Sequence, residues 1–288
     1  MVRIAAPKRP SNLMSDFTYI SVGFGVQSTA LLICSALGLY KVPRADKGVF
    51  ADTQGELSWV YEHAERMGKW SLEHGIPLTR ITRGSIERDL ENAAQGRFAS
   101  IPAFTFSEEE ADAVPLRRQC TREYKVDPIQ QWVRVELGYR PRQRVKKQAV
   151  GLIGISLDEA DRMKDSRVPW IQNRYPLVEA NLTRDDCIKI IAAEGIPIPR
   201  KSACVFCPYH DDDYWLSLKS THPAEFERAC LFDEKIRNLS RGGLKHPLFL
   251  HRSLVPLRQV EFKPKPRVPR QIQTNMNFRN ECEGACAT

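Results

Sequence analysis

Tyr19-Ile20-Ser21-Val22-Gly23-Phe24-Gly25-Val26-Gln27-Ser28-Thr29 is the stretch on which the fold turns. FTYISV (17–22) is rich in β-branched and aromatic residues and predicts a strand. Gln27–Leu39 predicts an apolar helix, and the loop between the two holds Gly23 and Gly25. Glycines let a backbone approach an anion and adopt positive φ. A helix N-terminus adds unpaired N–H groups and the positive end of a dipole. Ser21 and Ser28 add hydroxyl donors. No Lys-Ser/Thr follows the glycines, so the loop is not a Walker A loop. Taken alone, it reads equally well as a phosphate site or as a strand-to-helix turn that needs glycine for packing.

Outward from this turn the alternation continues. GVFA (48–51), LTRIT (78–82) and VKKQAVGLIGIS (145–156) predict further strands. Leu57–His74, Ile86–Ala94 and Glu123–Leu137 predict helices. Strands alternating with helices imply an α/β fold, a parallel Rossmann-like sheet flanked by helices. Ile101–Gln119, with Pro102, Pro115 and the run EEEAD, reads as an irregular loop over the sheet. Beyond Lys201 the alternation gives way to a C-x-x-C turn and two helices, Asp211–Leu218 and Pro223–Leu239. The expected organisation is a basic arm (1–16), a nucleotide-binding α/β domain (17–200), a helical region (201–260) and an extended basic tail (261–288).

The chain has 288 residues, 42% hydrophobic and 27% charged, enough to bury a large core. No apolar run approaches the ~18 residues of a membrane span, and the N-terminus lacks the apolar stretch of a secretory signal. A reducing cytoplasm is the compartment expected, where eight cysteines serve as metal ligands, reactive thiols or core residues rather than disulfides. The net charge of +8 favours an anionic partner, a nucleotide or a nucleic acid. GYRPRQRVKK (138–147) carries five bases and FKPKPRVPRQ (262–271) four, blocks able to neutralise phosphates. The five tryptophans do not interleave with these blocks and are expected to pack.

The loop resembles the Ser-Gly-Gly-x-x-Ser pyrophosphate loop of the PP-loop ATP pyrophosphatases, with Val22 and Phe24 inserted. Further segments follow in the order of the phosphoadenylyl-sulfate (PAPS) reductase branch. FADTQGE (50–56) looks like its Asp-Thr-Gly-x-Glu segment, and RQCTREYKVDPI (118–129) like its Arg-x-Cys-Thr-x-x-x-Lys-x-x-Pro segment. GISLDEADR (154–162) resembles its Gly-Ile-Arg-x-x-Glu-Ser-x-x-Arg loop, with Ser156 in place of the arginine. YPLVEANLTRDDCIKIIAAEGIPIP (175–199) is similar to its Tyr-Pro-Leu segment and helix ending in Gly-Ile-Pro. KSACVFCPYH (201–210) resembles the Cys-x-x-Cys-Pro of DNA phosphorothioation sulfur-transfer enzymes and related phage proteins. The resemblance covers residues 17–240.

It implies that Ser21, Gly23, Phe24, Gly25, Gln27 and Ser28 hold the phosphates of ATP, with Mg²⁺, or of PAPS. Gln27 stands where ATP-using members often carry aspartate, which leaves open cleavage of ATP against simple binding. Asp52 and Thr53 close the second strand as nucleotide contacts, Asp52 also as a catalytic candidate; a strand-end turn aspartate is the plain alternative. Asp158, Glu159 and Arg162 follow as nucleotide or substrate contacts, against a solvated helix start. Arg118, Arg122 and Lys125 flank Cys120 with positive charge, which favours a thiolate.

Cys204 and Cys207 are spaced to grip one metal centre, and Cys120 is the third candidate ligand. A 4Fe–4S cluster ranks first, zinc second and a metal-free redox pair third. The tail NECEGACAT resembles the Glu-Cys-Gly segment that carries the reductases' nucleophile, making Cys282 and Cys286 catalytic candidates. Cys34, Cys187 and Cys230 lie on apolar helical stretches and read as core. Three functions stay open. The first is ATP-dependent adenylation and thiolation of a nucleic acid such as tRNA or DNA, fed by a sulfur donor. The second is a PAPS or adenylyl-sulfate reductase served by thioredoxin, and the third a decayed nucleotide- or nucleic-acid-binding protein.

Overall fold

Five short runs pair side by side, all in one direction, in the computed structural model, which describes residues 15–91, 103–116, 119–237, 239 and 246–263. Strand β1 (Phe17–Ser21) leads into helix α1 (Val26–Leu37), then come β2 (Lys47–Asp52), α2 (Ser58–Glu73), β3 (Leu78–Thr82) and α3 (Ile86–Glu91). A hairpin of β4 (Phe104–Ser107) and β5 (Asp112–Pro115) follows, then α4 (Asp127–Glu136), β6 (Ala149–Ile153) and β7 (Ile171–Arg174). The chain continues through α5 (Pro176–Glu179), α6 (Arg184–Ala193), α7 (Asp212–Thr221) and α8 (Pro223–Ile236). The sheet order is β3-β2-β1-β6-β7, every pairing parallel.

Successive strand residues face opposite sides, and the sheet is buried on both. Ile20, Phe50 and Leu152 join Leu31, Leu32 and Ile33 of α1, Val60 and Met67 of α2, and Ile190 and Ile191 of α6. On the other side Phe17, Tyr19, Val49 and Ala51 pack on Ile129 and Val133 of α4. Each such aliphatic side chain contributes about 1.5–3 kcal/mol by burial. The helices beyond residue 201 share the first of these clusters through Phe206, Trp215, Phe226 and Phe232. Cys34, Cys187 and Cys230 are buried, as their apolar settings implied.

Three readings need correction. The segment expected as an irregular loop at 101–119 contains the β4–β5 hairpin, whose Phe104 also bridges Phe249. The acidic run that argued against a core element is its turn, with Ala111 at φ 51°. Second, β7 was not anticipated, because Ile-Gln-Asn-Arg offers no apolar run; it is an edge strand with its polar residues partly exposed. Third, the helix expected from Glu123 begins as a wide turn at Arg122–Val126, closed by Asp127 N–H donating to the Arg122 carbonyl. The arm through Met14, Arg118 and nearly all of the 262–271 block lie outside the described residues, as do Cys282 and Cys286.

Candidate functional site

The order of the strands makes a crevice. Crossovers leave β1 on one side for β2 and on the other for β6, so the loops after β1 and β6 part at the carboxyl edge of the sheet. Those loops touch. A Cβ on Gly154 would stand 2.8 Å from the Ser28 backbone nitrogen, so only glycine lets the β6 loop lie on the start of α1. Helix α1 begins after Gly25 with no side-chain cap and no acidic residue in its first turn. Ser21 Oγ is buried and has no hydrogen-bond partner. An uncapped helix start beside an orphaned buried hydroxyl is an arrangement that an anion would complete.

Gln27 is the hub. Its amide nitrogen donates to Glu159 Oε2 at 3.2 Å and to Ser156 Oγ at 3.5 Å. Its amide oxygen accepts from Arg184 Nη1 at 2.8 Å. Arg162 Nη1 donates to Glu159 Oε2 at 2.7 Å, while Asp158 accepts from the Arg184 backbone N–H at 2.9 Å. The structure thus brings Gln27, Glu159, Arg162 and Ser156 together, with Asp158 tied to the backbone of α6. Arg184 was missed: its signal was the basic residue opening a helix at the segment's far end.

The loop is closed in this structure, with every residue from 21 to 30 buried. Phe24, at φ 60°, folds its ring inward onto Phe50 (centroids 4.9 Å apart) and toward His63. Ser28 Oγ donates to the Gly25 carbonyl at 3.3 Å, and Thr29 Oγ1 lies 3.1 Å from His63 Nε2. Burial, then the charge of Arg66, pulls the His63 pKa down to about 4. From outside, Ser202 Oγ donates to the Gly23 carbonyl at 2.6 Å.

That hydrogen bond fastens the cysteine turn to the loop. The turn is fastened again to the loop after β2: Glu56 bridges Cys204, and Val205 N–H donates to the Gly55 carbonyl at 2.8 Å. A Cβ on Gly55 would meet the Phe206 ring at 2.5 Å, which explains glycine there. Cys204 Sγ lies 3.2 Å from Thr53 Oγ1 and 3.8 Å from Glu56 Oε1. Lys125 Nζ reaches the same Glu56 oxygen at 3.1 Å, both partners fully buried. Glu56 Oε2 has no partner. His210 Nε2 donates to the Cys204 carbonyl at 3.0 Å, bracing the turn. Of these supports, Thr53 and Lys125 were named from the sequence; Glu56, Ser202 and His210 stood inside quoted segments without a role.

Asp52 closes β2 with both carboxylate oxygens hydrogen-bonded. Its Oδ2 accepts from Arg80 Nε at 2.9 Å and Nη2 at 2.5 Å, and its Oδ1 from Tyr61 at 2.9 Å and Gln54 N–H at 2.8 Å. Both oxygens help to hold β2, β3 and α2 together. The expected cluster finds no assembled site: among the described residues no three His, Cys, Asp or Glu side chains are grouped to hold a metal ion. Cys120, Cys204 and Cys207 are thus not drawn into one three-thiolate group, and Cys282 and Cys286 lie outside the described residues.

Fold and crevice define a parallel α/β protein with an uncapped strand–loop–helix turn joined to a cysteine turn. No family model and no curated protein matches the chain. Several solved structures are similar to it, two of them as follows. One is phosphoadenylyl-sulfate (PAPS) reductase from Candida auris in a phosphate complex, 14% identical, covering 64% of this chain and 75% of that one, TM-score 0.38. The other is the U34-tRNA thiolase NcsA from Methanococcus maripaludis with its [4Fe-4S] cluster, 12% identical, covering 81% and 78%, TM-score 0.40. At these values the likeness assigns neither ligand nor reaction. Among the described residues no helix is long and apolar enough to cross a membrane.

Proposed function

We propose that this chain is a PP-loop enzyme, similar to the PAPS reductases, that binds an adenine nucleotide on the loop from Ser21 to Ser28 and takes part in sulfur transfer. The observation that carries this reading is the hydrogen bond from Ser202 to the Gly23 carbonyl. It sets the turn that carries Cys204 and Cys207 directly against the loop from Ser21 to Ser28. The orphaned Ser21 hydroxyl and the first N–H groups of α1 receive phosphate oxygens. Arg162 and Arg184 supply positive charge beside them, as planar guanidinium forks suited to phosphate. Asp52 holds the sheet edge and takes no part in the chemistry.

In the reaction favoured, an acceptor oxygen attacks the α-phosphorus of ATP, the bond to the β-phosphate breaks and pyrophosphate leaves. A sulfur nucleophile then displaces AMP from the adenylated acceptor. Magnesium arriving with ATP neutralises phosphate charge. A nucleic acid, tRNA or DNA, is the acceptor class that the chain's basic blocks support. Cys204, between Thr53 and Glu56, is the thiol best placed to handle sulfur. Radiolabelled ATP incubated with tRNA or DNA and a persulfide donor tests the reading: AMP and pyrophosphate are expected, and their absence at every salt concentration sinks it.

A second reading rests on Gln27. A neutral amide held by Arg184 and Glu159 suits a sulfonucleotide bound without cleavage of ATP. Sulfite released from PAPS or adenylyl sulfate with thioredoxin, and no AMP-forming step with ATP, would establish the reductase instead.

A further inference from the structure

The loop joining α4 to β6 stands apart from all of this. It carries Arg140, Arg142, Arg144, Lys146 and Lys147, each exposed. None of the five makes an ion pair with an acidic side chain among the described residues. The loop is nevertheless held in shape. The Tyr139 hydroxyl accepts from the Lys146 and Lys147 backbone N–H groups at 3.2 and 3.3 Å. Gln143 Oε1 accepts from the Arg140 N–H at 3.0 Å, and Arg134 donates to the Gln143 carbonyl. Arg142 takes φ 64°, a conformation that non-glycine residues adopt at a cost. Charges that repel one another are thus fixed together on an ordered loop.

Because the sheet is parallel, the loop's position is settled by topology. It precedes β6 and lies at the amino edge, whereas the nucleotide loop follows β1 at the carboxyl edge. Five residues of β6 separate the two edges, about 16 Å at ~3.3 Å per residue. Lys41, exposed at φ 58° beside the exposed Tyr40, lies on the same amino edge before β2. Of the acids there, Glu136 is paired with Lys47, while Asp16 and Asp46 accept from the Gln148 and Thr18 N–H groups and keep their charge, outnumbered by the loop's five cations and Lys41. The edge is therefore a cationic surface remote from the crevice, too far away to grip the same nucleotide.

We infer that this edge binds the phosphate backbone of a double-helical nucleic acid. The five cations sit on a fixed loop whose one aromatic side chain, Tyr139, is tied to the loop backbone through its hydroxyl, which suits backbone contact rather than base reading. A ligand touching both this edge and the crevice must extend beyond about 16 Å, more than about five base pairs at ~1.7 Å of axis per charge. The inference deepens the proposed function by giving its acceptor a second anchorage, and it stands even if the acceptor reading fails.

The test is fluorescence anisotropy of the full chain with labelled DNA and RNA duplexes of about 24 base pairs, from about 50 to about 200 mM salt. Five phosphate contacts predict a slope of log K against log salt near −4.5. The R140A/R142A/R144A variant should lower that slope by about 2.7 and weaken binding at least ten-fold. K146Q/K147Q should lower it by about 1.8. Unchanged nucleotide affinity in both variants, with unaltered circular dichroism, separates this surface from the crevice. Unaltered slope and affinity in both variants overturn the inference. So does anionic lipid vesicle binding that is as strong as duplex binding and equally dependent on the loop. Preference for the RNA or the DNA duplex identifies the source of the backbone.

Discussion

A single buried amide ties the two halves of the crevice. Gln27 is fully buried between Arg184 and Glu159, groups that cannot easily be left unpaired. Gln27→Ala should therefore cost about 2–4 kcal/mol and abolish nucleotide binding, read by urea unfolding and calorimetric titration. Full stability would show that the amide joins nothing. Gln27→Glu should be no rescue, because a second carboxylate beside Glu159 repels it. His63 supplies the pH prediction. Its folded-state pKa, near 4, lies below its ordinary 6.5, so on acidification the unfolded chain takes up the proton first. Stability present above about pH 6.5 is lost progressively down to about pH 4, on the order of 2 kcal/mol by pH 5. His63→Gln should flatten the drop in urea midpoint between about pH 7.5 and 5; an undiminished drop would assign it to other groups. At this scale the sequence was legible where a residue type signals chemistry by itself. Ser21, Gln27, Glu159 and Arg162 stand in loops whose order matched a known pattern. Arg184, Ser202 and Glu56 act through neighbours 157, 179 and 148 residues away, and no local pattern records such a partnership.

Elements follow the same division. β1, β2 and β6 were readable because strands buried on both faces are nearly continuously apolar, and β3, an edge strand with no buried residue, because Leu-Thr-Arg-Ile-Thr alternates and is β-branched. β7 and the β4–β5 hairpin were not, since an edge strand and a small ladder tolerate polar residues. The attachment of the last described segment was equally silent. Asp233, on α8 and fully buried, accepts from Leu250 N–H at 2.7 Å and Leu257 N–H at 2.9 Å, and pairs with Arg237. This carboxylate joins the Phe104–Phe249 bridge and the Arg258 pairs with Glu227 and Glu234 in holding residues 246–260 in place. Asp233→Ala leaves two buried N–H groups and a guanidinium without acceptors, a loss of about 3–5 kcal/mol. Limited proteolysis should then cut within 246–260 before the sheet is attacked. Asp233→Asn, which keeps one acceptor oxygen, should recover part of the protection. Simultaneous cleavage throughout the chain would mean that this segment has no independent hold.

At the scale of the whole molecule, the closed loop and the fastened cysteine turn make one prediction together. Residues 21–30 are buried, so a nucleotide reaches them only if something lifts, and Ser202 is the point where the turn is fastened to Gly23. The free energy of opening therefore includes that hydrogen bond, worth about 1 kcal/mol net. Removing it in Ser202→Ala lowers the stability of the closed form by that amount and raises the open population about five-fold. The variant should bind a fluorescent ATP analogue about five-fold faster in stopped flow while unfolding at lower urea, an opposition that simple damage to a binding site does not produce. Alkylation of Cys204, followed by peptide mapping, should accelerate in parallel because the same turn carries the thiol. Saturating nucleotide should suppress the alkylation difference between variant and parent if the bound loop re-seats the turn. An association rate unchanged despite lowered stability would place the entry route elsewhere and leave Ser202 as a packing contact.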